Sequence, residues 1–223
     1  LYSSILAGSN ANEIVNTAEI SLSGFETPQG VDFKFTGEIK QQAENQSFLS
    51  GALLTGIALI VLILVFQFNS ISKPFIVLAS IILSFTGVFL GIVIFNLTFS
   101  ILMTMLGIIS LTGIIVNNAV VLIDYTQLLF DRKKIDLKLS KEDIIDKNIA
   151  LDLVKTAGKA RLKPVLLTAI TTIFGLIPLA IGLNIDFFTL FADWNANIYI
   201  GGDNVIFWGP LAWTVIFGIT FAT

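Results

Sequence analysis

Two amides stand side by side inside a long apolar run, Gly113-Ile114-Ile115-Val116-Asn117-Asn118-Ala119-Val120-Val121-Leu122-Ile123-Asp124-Tyr125. Amide groups surrounded by hydrocarbon are costly unless paired, so they face a partner helix or a water-filled path. At helical spacing Gly113, Asn117 and Asp124 share a face, and a glycine there would let a neighbouring helix come close. A second apolar segment carries Thr168, Thr171 and Thr172, three and four residues apart, with Arg161 and Lys163 just before it. Two roles fit these groups. They could line a polar path through a membrane, or they could serve assembly alone, with amides joining helices, threonines bonding back to their own backbone and the two cations anchoring an interface. The residues by themselves leave both open.

Other chemistries are removed by what the chain lacks. With no histidine and no cysteine, it has no thiol, no disulfide, no Cys/His zinc site and no Ser-His or Cys-His nucleophile. An intramembrane protease would need a pair of aspartates or a histidine in its spans, and neither is there. No apolar segment has a carboxylate near its middle: Asp124 is expected at a helix end, and Asp186 and Asp203 in a loop. A proton carrier requires a titratable group within the membrane, so any such group would lie outside this chain.

The elements that must position these residues are membrane spans. Hydrophobic residues make up 55% of the chain and charged residues 13%, with mean hydropathy +0.87, well beyond the balance of a soluble domain. Residues 1–47 are polar, with turn signals at Gly24, Pro28 and Gly30 and an alternating strand-like run from Val31 to Phe35, as in a piece of a water-exposed domain. Residues 48–223 read as a transmembrane domain. Its five apolar segments, at about 48–68, 74–95, 99–123, 165–183 and 205–223, each approach the roughly 20 residues that cross about 30 Å of hydrocarbon.

Asn69 to Lys73 join the first two spans as a tight hairpin. Pro164 is expected at a helix's first turn and Pro178 at a kink. Between the third and fourth spans, residues 124–163 predict an amphipathic helix along the membrane surface, with Ile144, Ile145, Ile149, Leu153 and Val154 at helical spacing. Ten of the 13 Lys and Arg fall in that stretch, and none falls in Asn184–Asn204. By the positive-inside rule the first is cytoplasmic and the second external, which puts the N-terminal polar part outside. The fold class is therefore an all-α transmembrane helix bundle of about five spans with a small α+β remnant at the N-terminus. Leu1 in place of Met, and an apolar segment still running at Ala222 and Thr223, are expected of a piece cut from a longer protein.

The third span resembles the tenth transmembrane helix of resistance-nodulation-division permeases, the acriflavine-resistance-type multidrug pumps. Three further stretches resemble the same family in order. Arg161-Leu-Lys-Pro-Val-Leu-Leu-Thr168 with Gly175-Leu-Ile-Pro178 is similar to the start of helix eleven, Gly201-Gly-Asp-Asn-Val-Ile-Phe-Trp-Gly-Pro210 to the approach to helix twelve, and Gly37-Glu38 to the end of a periplasmic porter subdomain.

The resemblance implies that residues 1–47 close a periplasmic porter subdomain and that this chain supplies helices eight to twelve of a twelve-helix permease. It implies a homotrimer in the bacterial inner membrane, working with a periplasmic adaptor and an outer-membrane channel, with no nucleic-acid partner. The work implied is export of drugs or small amphiphiles, not catalysis, driven by the proton gradient with no bound cofactor and no metal. Proton carriers are implied on helix four, outside this chain. Asn117, Asn118, Thr168 and Arg161 match the family's coupling positions on helices ten and eleven. Asn117 departs from the lysine of the best-known drug pumps, and an amide offers hydrogen bonds where a lysine offers an ion pair. Rival readings are a heavy-metal efflux member, whose metal sites lean on methionine where this chain has only Met103 and Met105, and a non-transporting accessory membrane protein.

Overall fold

The computed structural model describes residues 11–23, 38–140 and 143–223. The chain divides into two compact units, Leu1–Gly51 and Ala52–Thr223. In the first, α1 spans Ala11–Ser23, and the opening turns of α2 (Glu38–Phe68) carry a Lys40–Glu44 ion pair at 3.5 Å, four residues apart on one face. The strand expected over residues 31–35 lies outside the described residues.

The second unit is a bundle of long helices. α2 ends at Phe68, Asn69 takes a left-handed φ of 43°, and α3 (Ser72–Ile94) begins three residues later, giving the tight hairpin. α3 ends in a Schellman turn: Asn96 (φ 49°) donates to the Val93 carbonyl and Leu97 to that of Ile92. α4 (Ile101–Asp136) opens with Ser100, whose hydroxyl accepts from the Met103 amide while the Thr104 hydroxyl accepts from the Ser100 amide, a reciprocal cap. Then come α5 (Lys147–Ile181), the short α6 (Phe187–Asp193) between strands β1 (Leu183–Asn184) and β2 (Tyr199–Ile200), and α7 (Asp203–Ala222).

Five helices are long and apolar enough to cross a membrane, as expected. Two of them continue well past it. At 1.5 Å per residue α4 runs about 54 Å and α5 about 52 Å, against roughly 30 Å of hydrocarbon. About 20 residues from Ile101 reach Val121, so Asp124 sits at the hydrocarbon boundary inside a continuing helix, not at a helix end. For the same reason residues 124–163 form no separate surface helix. They are the basic ends of α4 and α5 with the linker between, in which Ile145 is buried and Ile144 is exposed. Lys133 and Lys134 in the last turn of α4 favour its C-terminal dipole. Pro164 lies inside α5, where it removes the amide that would bond the Ala160 carbonyl, and does not sit at a first turn.

α7 is the centre of the bundle, packed against α3, α4 and α5, and α4 also packs against α3 and α5. Glycines set these approaches. A Cβ at Gly87 or Gly91 of α3 would overlap Phe221 or Phe217 of α7, one at Gly107 of α4 would stand 2.9 Å from Thr214, and one at Gly218 of α7 would overlap Leu111. The α3–α7 seam is capped by stacked Phe95, Phe217 and Trp213 rings, centroids 5.2 and 5.3 Å apart along the stack. Leu59, Leu62, Ile63 and Phe66 of α2 and Ile82, Leu83 and Phe89 of α3 point outward, a surface suited to lipid.

Candidate functional site

α4 and α5 run antiparallel, which the order of their contacts shows. At one level Asn117 and Asn118 of α4 face Thr168 and Thr172 of α5 across a cavity of about 310 Å³, closed by Gly113, Ile114, Ala169 and Ile219. Seven residues along both helices, about 10 Å nearer the basic end, the Arg161 guanidinium lies over the Tyr125 ring at 4.6 Å from its centroid. A second cavity of about 300 Å³ shares Asn118 with the first and has Ser80, Leu122, Arg161 and Val165 among its lining. The structure therefore brings Asn117, Asn118 and Thr168 to one place and sets Arg161 about two turns below, where it lines the second cavity together with Asn118.

The threonines do bond back to their own helix. Thr168 donates to the Val165 carbonyl at 2.9 Å, Thr172 to that of Thr168 at 2.8 Å, and Thr171 to those of Leu167 and Thr168 at 2.9 and 3.0 Å. Their protons are committed, so toward the cavity the hydroxyls can only accept. Among the described residues neither Asn117 nor Asn118 has a side-chain hydrogen-bond partner, which leaves amide donors opposite hydroxyl acceptors. Asn118 is half-buried, whereas Asn117 and Thr168 are exposed at the rim of the bundle. A polar rim on helices of this apolarity needs polar company. Gly113 behaves otherwise than its position suggested: a Cβ there meets open space within this chain, and it lines the Asn117 cavity while close packing falls to Gly107 and Gly218.

Arg161 is more than an interface anchor. It is half-buried, its face is taken by Tyr125, and its Nε is buried with no hydrogen-bond partner among the described residues. Such a cation–π contact contributes roughly 0.5–2 kcal/mol, more as water is excluded. Tyr125 carried no role in the sequence; its one signal is that it falls two helical turns beyond Asn118, on the same face. Lys73 was also missed: its ammonium donates to the Gln127 amide oxygen and stands 5.0 Å from the Phe68 ring centroid, tying the α2–α3 hairpin to α4.

A bundle of bilayer-length helices with a polar seam defines a multi-pass membrane protein. Residues 3–184 match the family model described as the AcrB/AcrD/AcrF family, and the chain belongs to that family of resistance-nodulation-division efflux transporters. It is similar to the swarming motility protein SwrC of Bacillus subtilis, 34% identical over 155 residues, which are 70% of this chain and 13% of the relative. It is also similar to the multidrug resistance protein MdtC of Citrobacter koseri, 26% identical over 214 residues, 96% of this chain and 17% of the relative. The crystal structure of a heavy metal efflux pump superposes on 96% of this chain and 18% of its own, with a TM-score of 0.65 and 21% identity, a likeness of fold. The chain thus spans less than a fifth of the proteins it resembles.

Proposed function

We propose that this chain is the C-terminal transmembrane part, helices eight to twelve, of a proton-driven efflux permease of the bacterial inner membrane that exports drugs or other small amphiphilic compounds. One observation carries the reading: the α4–α5 seam gathers Asn117, Asn118, Thr168 and Thr172 around a cavity that opens at the rim of the bundle. Membership in the family supports transport, and the multidrug resistance named for MdtC supports the substrate class. The heavy-metal reading draws only on a likeness of fold at 21% identity, which carries no substrate over to this chain.

In this proposal carboxylates from the rest of the protein face the rim. When ionised they accept from the Asn117 amide; when protonated they donate to the Thr168 hydroxyl oxygen or the Asn117 carbonyl. Because Asn117 is an amide, the exchange is one of hydrogen bonds and not of an ion pair. The change of partner shifts α4 against α5, and the shift passes outward to periplasmic domains that bind and expel substrate. Those domains, the trimer, the adaptor and the outer-membrane channel belong to the whole protein.

The test is Asn117→Leu in the complete protein, which keeps the branched outline of the side chain and removes its hydrogen bonds. Drug resistance is expected to be lost at unchanged membrane abundance. Retained resistance would leave Asn117 with a packing role only.

A further inference from the structure

The segment between α5 and α7 is a built element with an apolar face that the transport reading does not use. Its two ends are tied to the mouths of two spans. The Gly201 amide donates to the Gly182 carbonyl at 2.9 Å, and the Asn184 side-chain amide donates to the carbonyls of both Gly182 and Gly201 at 2.8 Å. β1 and β2 pair antiparallel across this neck, Leu183 opposite Ile200 and Asn184 opposite Tyr199. Beyond it α6 is capped by Asp186, whose carboxylate accepts from the Thr189 amide at 3.2 Å.

On α6 the side chains divide by face. Phe187 and Phe191 are one turn apart and Trp194 follows at the helix end, while Thr189 and Asp193 lie on the opposite side. Phe191 is 81% exposed and Trp194 92%, and Ile198, Tyr199 and Ile200 are exposed beside them. Trp194 sits at a φ of 53°, a region bulky residues rarely occupy. In the first turns of α7, Ile206, Phe207 and Trp208 are exposed as well. The segment 183–204 holds no cation, and its charges are Asp186, Asp193 and Asp203.

We infer that residues 183–202 form a foot that lies in the membrane–water interface, with Phe187, Phe191 and Trp194 seated among lipid headgroups and upper acyl chains. The neck fixes the foot at the level where two spans leave the hydrocarbon, which is the depth favoured by tryptophan and tyrosine. Exposed apolar residues follow it in the first turns of α7, a membrane-spanning helix, and a helix with one apolar and one polar face lies along such a boundary. Lacking lysine and arginine, the foot is held by apolar area and not by attraction to anionic lipid. It therefore binds neutral and anionic bilayers alike.

The inference rests on the helices crossing a bilayer, and the test separates the two. In the full-length protein, with any cysteine outside this chain replaced by serine, a nitroxide is attached in turn at Phe191→Cys, Trp194→Cys, Asp193→Cys and Phe89→Cys; this chain has no cysteine of its own. The protein is reconstituted in phosphatidylcholine vesicles, then in vesicles with added phosphatidylglycerol, and collisions with oxygen and with a water-soluble nickel chelate are measured by power saturation. The expected result is oxygen exceeding nickel at Phe191, Trp194 and the lipid-facing Phe89, nickel exceeding oxygen at Asp193, and no change between the two lipids. Nickel exceeding oxygen at Phe191 and Trp194 with Phe89 still lipid-like would place the foot in water and overturn the inference. Neither reagent reaching Phe191 and Trp194 would mean that protein covers them, which also overturns it. A water-like Phe89 would instead overturn the spanning arrangement on which the inference stands.

Discussion

Replacing Gly218 by alanine should destabilise the bundle, because α7 touches α4 there with no space for a methyl group. A Cβ at Gly218 would overlap one Leu111 methyl and lie 2.8 and 3.0 Å from the other methyl and Cγ, against the 3.5–4.0 Å at which carbons normally rest. Three atoms of one side chain are struck together, and Leu111 is fully buried, so the side chain has little free space to move into. The cost expected for such overpacking is about 1–3 kcal/mol. Leu111→Ala deletes all three struck atoms. Alone it leaves a cavity worth about 2 kcal/mol or more, but in its presence Gly218→Ala should cost almost nothing. The coupling between the two changes should then match the overpacking cost. Gly56→Ala, where a Cβ meets nothing within 4 Å, should be neutral or stabilise by up to about 1 kcal/mol. Steric trapping of the whole protein in bicelles measures these differences. Gly218→Ala as stable as the unaltered protein, or fully additive losses in the double variant, would refute the packing of α7 on α4.

The Arg161–Tyr125 contact predicts that Arg161→Lys and Tyr125→Leu each lower transport by the full-length protein, and that the double variant falls no further than either alone, since a planar guanidinium and the ring act as one unit; multiplying losses in export assays would sever them. If the basic ends of α4 and α5 face the cytoplasm, as the positive-inside rule predicts, a protease site inserted between Asp136 and Asp146 should resist external protease in intact spheroplasts. Cleavage there without lysis would reverse the topology.

The existence of the five spans was legible because lipid demands unbroken apolar runs, and runs such as that from Phe48 to Phe68 have no other use. Their ends were not. Hydropathy reports where lipid stops, whereas α4 continues to Asp136 on helix propensity and stops at the left-handed Lys138 (φ 53°). That is why Asp124 falls inside a helix, Pro164 is internal, and the surface helix over residues 124–163 dissolves into two helix ends. At the candidate site, Asn117, Asn118 and Thr168 stood out because amides and hydroxyls are conspicuous in hydrocarbon. The Arg161–Tyr125 contact was hidden, since it joins two helices whose register the sequence does not state. Gly113 drew attention by its spacing from Asn117, yet the tight approaches occur at Gly107 and Gly218, chosen by which helix lies opposite. The central place of α7, last in the chain order, follows from packing alone.

Coupling of proton movement to export by the Asn117–Thr168 seam can be read from proton flux in proteoliposomes of the full-length protein under an imposed pH gradient, using an internal pH dye and a transported amphiphile. Substrate-dependent proton movement is expected, lost with Asn117→Leu and diminished but present with Asn117→Gln. Undiminished flux in Asn117→Leu, or export that proceeds unchanged when the pH gradient is collapsed, would contradict it.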